Sequence, residues 1–205
     1  RFLGCTAKKA FLCTILAARR HTPRPKPNKH LIIIYFQQST TMILSQRTDS
    51  RTAATAIAVR LTGAYCQNDY CAAWGKLGDY CQRHALDYDC PDAQYLNIYH
   101  DDPRYVPAEA CRADVCIAHP VCEQLQDEGD VHIVHVPHGP FVVFTVQGPY
   151  DTALADAYMK IYGTILPAST LPVLEGQPTL ERYLNDPETT APADILTEIW
   201  IPLKA

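Results

Sequence analysis

The chain has no acidic residue in its first 41 positions, no methionine before Met42, no long apolar run and no Cys-x-x-Cys. Each absence excludes something. The apolar stretches Phe11–Ala18 and Leu31–Phe36 fall short of the about 18–20 residues that a spanning helix needs. No small-residue cleavage site follows the first of them, which argues against a secretory signal. The cysteine pairs Cys66/Cys71 and Cys111/Cys116 are separated by four residues, and Cys81/Cys90 by eight. Such spacing predicts reduced, partly buried thiols rather than a disulfide framework or a metal site. His132, His135 and His138 recur every three residues, which on a strand alternates faces, so neither metal nor cofactor is expected. No glycine-rich nucleotide loop and no Ser-His-Asp arrangement is recognisable, which removes the commoner enzyme chemistries.

Charge is segregated. Residues 1–41 carry eight Lys/Arg, whereas residues 42–205 carry the other ten and all 22 acids, so the net −4 divides into +8 and −12. An acidic body repels phosphate backbones, and neither direct nucleic-acid binding nor a membrane partner is expected of it. After the doublet Arg19-Arg20, the run Pro23-Arg24-Pro25-Lys26-Pro27 cannot continue a helix. Residues 1–41 are therefore expected to be a basic, non-native or disordered leader, with translation starting at Met42. At 47% apolar and 20% charged residues, the remainder is expected to fold as one domain, 42–205.

Within that domain one passage occurs twice. Leu61-Thr62-Gly63-Ala64-Tyr65 returns as Val146-Gln147-Gly148-Pro149-Tyr150, and Tyr99-His100-Asp101-Asp102-Pro103 returns as Tyr183-Leu184-Asn185-Asp186-Pro187. The offset is 85 at the glycines and 84 at Tyr99/Tyr183 and Asp114/Glu198. Two copies are too few for a solenoid and predict a pseudo-symmetric domain with a ligand cleft at the seam.

In the first copy, Thr52–Leu61 reads as a strand ending in a glycine turn, and Asp69–Ala85 as an amphipathic helix with Tyr70, Trp74, Leu77 and Cys81 on one stripe. Gln94–His100 and Cys111–Ala118 read as strands. In the second, Val131–Gln147 has strand character broken at Pro137–Pro140, and Ala153–Leu166 reads as a helix N-capped by Asp151 or Thr152. Thr179–Leu184 and Ile195–Leu203 close the unit. Each copy is β-α-β-β, and together they predict an α+β domain: a mostly antiparallel sheet carrying two helices. Asp114 and Glu198 alternate with apolar neighbours and are expected to face solvent.

The second copy resembles the GyrI-like family. The residues carrying the resemblance are Gly148-Pro149-Tyr150, Ala157-Tyr158, Leu166-Pro167-Ala168-Ser169, Glu181-x-Tyr183-x-Asn185 and Thr197-Glu198-Ile199-Trp200-Ile201-Pro202-Leu203. Tyr99-His100-Asp101-Asp102-Pro103 and Arg112-Ala113-Asp114 match the middle of the family pattern. Ile165 stands where the family usually has Trp, and Ala64 where it has Pro. The family includes the effector-binding part of AraC-type regulators such as Rob, the drug-binding part of BmrR, and small standalone DNA gyrase inhibitor-like proteins. The resemblance implies a bacterial, cytoplasmic effector-binding domain of the Rob C-terminal type; 41 proline-interrupted residues cannot supply the DNA-binding region of AraC-type regulators, so a standalone version or a fragment is expected.

The resemblance also implies that Glu181 faces an aromatic-lined cleft and meets cationic or polar ligands. Its counterpart is Asn97. Tyr183, Tyr99, Trp200, Tyr150, Tyr65 and Trp74 are the candidate walls, since aromatic faces attract cations. The leading expectation is capture of a small lipophilic cation or aromatic molecule, by a sensor or sequestering protein. A protein-interaction module directed at gyrase comes second. A hydrolase of strained-ring electrophiles with Glu181 as general base comes third, so an enzyme is the least favoured. Deleting Arg1–Thr41 is expected to leave the melting temperature unchanged; a truncated chain that melts clearly earlier, or without cooperativity, overturns this.

Overall fold

A computed structural model of the chain describes residues 42–205; the expected leader lies outside them. Eight strands form a single sheet: β1 (Met42–Arg51), β2 (Ala54–Thr62), β3 (Gln94–Tyr99), β4 (Arg112–Ala118), β5 (Val131–Val136), β6 (Gly139–Gln147), β7 (Thr179–Tyr183) and β8 (Leu196–Pro202). Their spatial order is β1-β6-β8-β7-β3-β4-β2-β5, every pair antiparallel. Helix α1 (Tyr70–Arg83) starts where the Asp69 carboxylate accepts the Ala72 N–H, and buries Tyr70, Trp74, Leu77, Tyr80 and Cys81. Helix α2 (Ala153–Lys160) starts at Thr152, whose side chain makes no capping bond.

The β-α-β-β reading needs one addition. A strand precedes each unit: β1 for the first copy and, once Val131–Gln147 is split, β5 for the second. Each is handed to the other copy, β1 pairing with β6 and β5 with β2. The expected symmetry is present at the centre. β3 and β7 pair with Asn97 opposite Glu181, and these residues are 84 positions apart (181 − 97), so the pseudo-two-fold axis runs between them.

The exchanged strands also bend the sheet. β1 and β2 lie six strand positions apart, about 29 Å if the sheet were flat, yet only Thr52 and Ala53 join them, spanning about 11 Å at most. Pro137 and His138 impose the same constraint between β5 and β6. The sheet therefore curls. Arg51 of β1 and Gln94 of β3 are four positions apart and still hydrogen-bond at 3.0 Å. The inner face closes over Ala56, Ala58, Cys116, Phe141, Val143 and Trp200, whereas α1 and α2 pack on the outer face against Ile57, Val59, Val115, Val142 and Phe144.

This curl overturns the expectation for Asp114 and Glu198, which are only 1% and 6% exposed. They alternate as read, but the face opposite the helices is the closed inner one. Each carboxylate is paired there. Arg60 donates two bonds to Asp114 and His100 bonds it at 2.7 Å. Arg47 and the Trp200 indole N–H donate to Glu198 at 2.8 and 3.0 Å. The thiol expectation also needs correction. Cys66, Cys81, Cys90, Cys111, Cys116 and Cys122 form no disulfide, but Cys71 is disulfide-bonded.

The second helix departs from a single span. Beyond Lys160 the chain widens into a π-helical turn, Ile161–Ile165, then resumes over Leu166–Ala168. Pro167 has no N–H for the Gly163 carbonyl, and its ring would clash with that carbonyl in a regular helix.

Burial alone would push the Asp114 carboxyl up, but the bonds and charges of His100 and Arg60 hold it below its ordinary value of 3.8. A depressed value contributes stability that is present above pH 3.8 and lost as the pH falls through the folded-state value. Asp114→Asn is expected to cost about 1–3 kcal/mol at pH 7 and to flatten the acid limb of the stability curve. Urea unfolding between pH 3 and 7 checks this; identical curves for the two proteins refute it.

Candidate functional site

On β3 and β7 the alternation of a strand sends Tyr95, Asn97, Tyr99, Thr179, Glu181 and Tyr183 to the helix side, because these positions share parity and pair across the axis. The Glu181 carboxylate, on a residue only 2% exposed, lies at the middle of this row. The phenols of Tyr99 and Tyr183 donate to its Oε2 at 3.0 and 2.9 Å. Asn97 Nδ2 donates in turn to the Tyr183 and Tyr99 oxygens at 2.7 and 3.3 Å. Tyr183 meets the edges of Trp74 (6.2 Å between centroids) and Tyr150 (5.3 Å).

Among the described residues no Arg, Lys or His forms an ion pair with Glu181. Burial pushes its carboxyl above the usual value, and bonds from Tyr183 and Tyr99 only partly offset this. Burial, reinforced by the carboxylate, pushes the Tyr99, Tyr158 and Tyr183 phenols well above theirs. The phenols therefore stay protonated donors, and burial disfavours the charged form of Glu181.

Six of the eight residues selected from sequence meet here: Glu181, Tyr183, Tyr99, Asn97, Tyr150 and Trp74. Tyr65 stands behind Tyr99, ring centroids 4.9 Å apart, and its hydroxyl donates to the backbone carbonyls of Asp101 and Arg112 at 2.8 and 3.0 Å. Trp200 is not in the cluster. It pairs with Leu180 rather than Glu181, so it points into the inner face, where its ring packs on Phe141. Tyr70, Tyr158 and Tyr162 belong to the site region and were not selected. Their signal was available: Tyr70/Trp74 and Tyr158/Tyr162 are aromatic pairs one turn apart on the inward stripes of the two helices.

A cavity of ≈ 510 Å³ adjoins the cluster. Tyr99 and Tyr158 line it and also neighbour Glu181, whereas Glu181 itself is not in its lining. Leu166, Leu171 and Val173 supply apolar wall, with Tyr162 stacked beside Tyr158. At the rim Arg104 lies over the Tyr162 ring, 5.6 Å from its centroid, and pairs with Asp102.

Fold and cluster together define a small-molecule-binding α+β domain made of two copies of one unit. Residues 51–204 match the model of the GyrI-like small molecule binding domain, and the chain belongs to that family. A protein named DNA gyrase inhibitor from Edwardsiella piscicida is 27% identical over 159 residues, covering 76% of this chain and 96% of its own. EcmrR, solved in complex with DNA, superposes with a TM-score of 0.60 at 18% identity over 77% of this chain; the chain spans about half of that regulator, 56%. SAV2435, solved bound to tetraphenylphosphonium, superposes with a TM-score of 0.50 at 15% identity, over 79% of this chain and 95% of that one. No helix of the described residues is long and apolar enough to cross a membrane.

A carboxyl whose folded-state value is raised contributes stability that is present below its unfolded value, near 4.5, and lost as the pH rises through the folded value. Glu181→Gln removes that loss and is expected to raise the melting temperature at pH 7 but not below pH 4. A variant that melts lower than the parent at pH 7 contradicts this.

Proposed function

We propose that the domain captures small amphipathic or cationic molecules in the tyrosine cluster around Glu181, as a cytoplasmic sensor or sequestering protein. The observation carrying this reading is a buried carboxylate with aromatic neighbours, no cationic partner among the described residues, and an adjoining apolar-walled cavity. An isolated buried charge is costly, so a ligand that brings a positive charge gains what the empty site lacks. Each aromatic face adds about 0.5–2 kcal/mol of cation–π attraction. That SAV2435 holds tetraphenylphosphonium on the same fold supports this ligand class.

A second reading follows from the relative named DNA gyrase inhibitor: the acidic body engages gyrase or another protein partner. Retention of purified gyrase by the immobilised chain, competed by no small ligand, would favour it. A ring-opening hydrolase would use the same Glu181 as general base, and turnover of a strained-ring electrophile, lost in Glu181→Gln, would favour that instead.

Calorimetry tests the capture reading. Glu181→Gln keeps the shape and an accepting oxygen but removes the charge. It is expected to weaken tetraphenylphosphonium at least about tenfold more than a neutral triphenylphosphine oxide, or about 1.4 kcal/mol. Equal losses for both ligands would show that the carboxylate does not read charge.

A further inference from the structure

The hydrogen-bond network around Glu181 leaves one acceptor stranded, and this narrows the ligand class. A phenol has a single hydrogen. Tyr99 and Tyr183 both spend theirs on Glu181 Oε2, so towards Asn97 their oxygens can only accept. Asn97 must therefore turn its NH2 to them, and both amide hydrogens are used, at 2.7 and 3.3 Å. The network, not the appearance of the amide, fixes this orientation. Its consequence is that Asn97 Oδ1, on a residue 3% exposed, is buried with no donor. The hydroxyl of Tyr150 is likewise buried without a hydrogen-bond partner.

Asn97 and Glu181 are directly paired across β3 and β7, which places their side chains side by side on one face. The Glu181 carboxylate therefore stands beside an acceptor that has no donor, Asn97 Oδ1. The pseudo-two-fold axis brings identical positions together here. A second carboxylate at position 97 would repel the first; asparagine keeps the acceptor without the second charge.

We infer that the captured cation carries N–H donors, as a protonated primary or secondary amine or an amidinium does, and that Asn97 selects it over onium ions that have none. The inference rests on the capture reading above. A quaternary ammonium or phosphonium balances the Glu181 charge but seals Asn97 Oδ1 away from any donor, and a buried polar atom without its bond is a standing cost. An ammonium with two or three N–H groups reaches both acceptors at once.

The test uses the full chain and a matched pair, dibenzylammonium and dimethyldibenzylammonium, titrated calorimetrically at a pH where both are fully charged. The parent is expected to bind the secondary ammonium about tenfold or more tightly than its quaternary counterpart. Asn97→Leu is expected to bring the two within about twofold of each other, mainly by weakening the secondary ammonium. The parent's ratio needs no variant, so it decides the matter even if Asn97→Leu fails to fold. If the quaternary ion binds the parent as tightly as the secondary one, the inference is overturned while the capture reading stands. If Asn97→Leu folds and keeps the tenfold ratio, donors are read elsewhere and the assignment to Asn97 fails. If neither cation binds the parent, the capture reading itself fails and takes this inference with it.

Discussion

Two links of two residues each, Thr52-Ala53 and Pro137-His138, tie strands that the sheet order places six positions apart. That reach is short enough to dictate the shape of everything else. The sheet must curl, so one face becomes an interior lined by small side chains on β2 and β4 and large ones on β6 and β8. The other face must be covered by α1 and α2. Burial on both faces turns the central strands into continuous runs of buried residues, such as Ala56–Val59 and Ala113–Ala118. A polar residue on either face then needs a partner. On the inner face Asp114 and Glu198 have them in Arg60, His100 and Arg47. On the outer face Glu181 has only neutral phenols.

That contrast separates structural carboxylates from the one that marks a site. Asp114 and Glu198 occupy equivalent positions in the two copies and each has cationic partners, though not equivalent ones, as expected of groups that hold a fold together. Glu181 faces Asn97 across the axis, so the symmetry is broken where a ligand would sit. Phenols suit this environment because they donate to the carboxylate and stay protonated, whereas an arginine there would satisfy the charge permanently. The π-helical turn adds a second asymmetry. It lies only in the second copy, and the cavity opens beside it, between Tyr158, Tyr162 and the Asp102–Arg104 loop of the first copy.

Much of this was legible from residue order. Gly63/Gly148 and Tyr99/Tyr183 exposed the duplication, and the stripe Tyr70-Trp74-Leu77-Cys81 exposed α1. Period-2 and period-3.6 patterns are local, so a single chain reveals them. Trp200 and Glu198 were not legible in the same way. Both lie on a strand whose alternation was correctly read, but which face is inner depends on register against β6 and β7. A shift of one residue exchanges the faces. The first strand escaped for a related reason: Leu44–Ser50 is largely exposed and has little apolar alternation to announce it.

The sequence by itself determined the duplication and the identity of nearly every strand and helix, because these follow from spacing and local propensity, whereas the expectation for Glu181 came from the family resemblance. Only the tertiary structure decided which carboxylates are neutralised, that Trp200 faces away from the site, and that Asn97 meets Glu181 on the axis. Those outcomes depend on pairing between segments about eighty residues apart and on the curl imposed by two short links, and neither leaves a periodic mark on the chain.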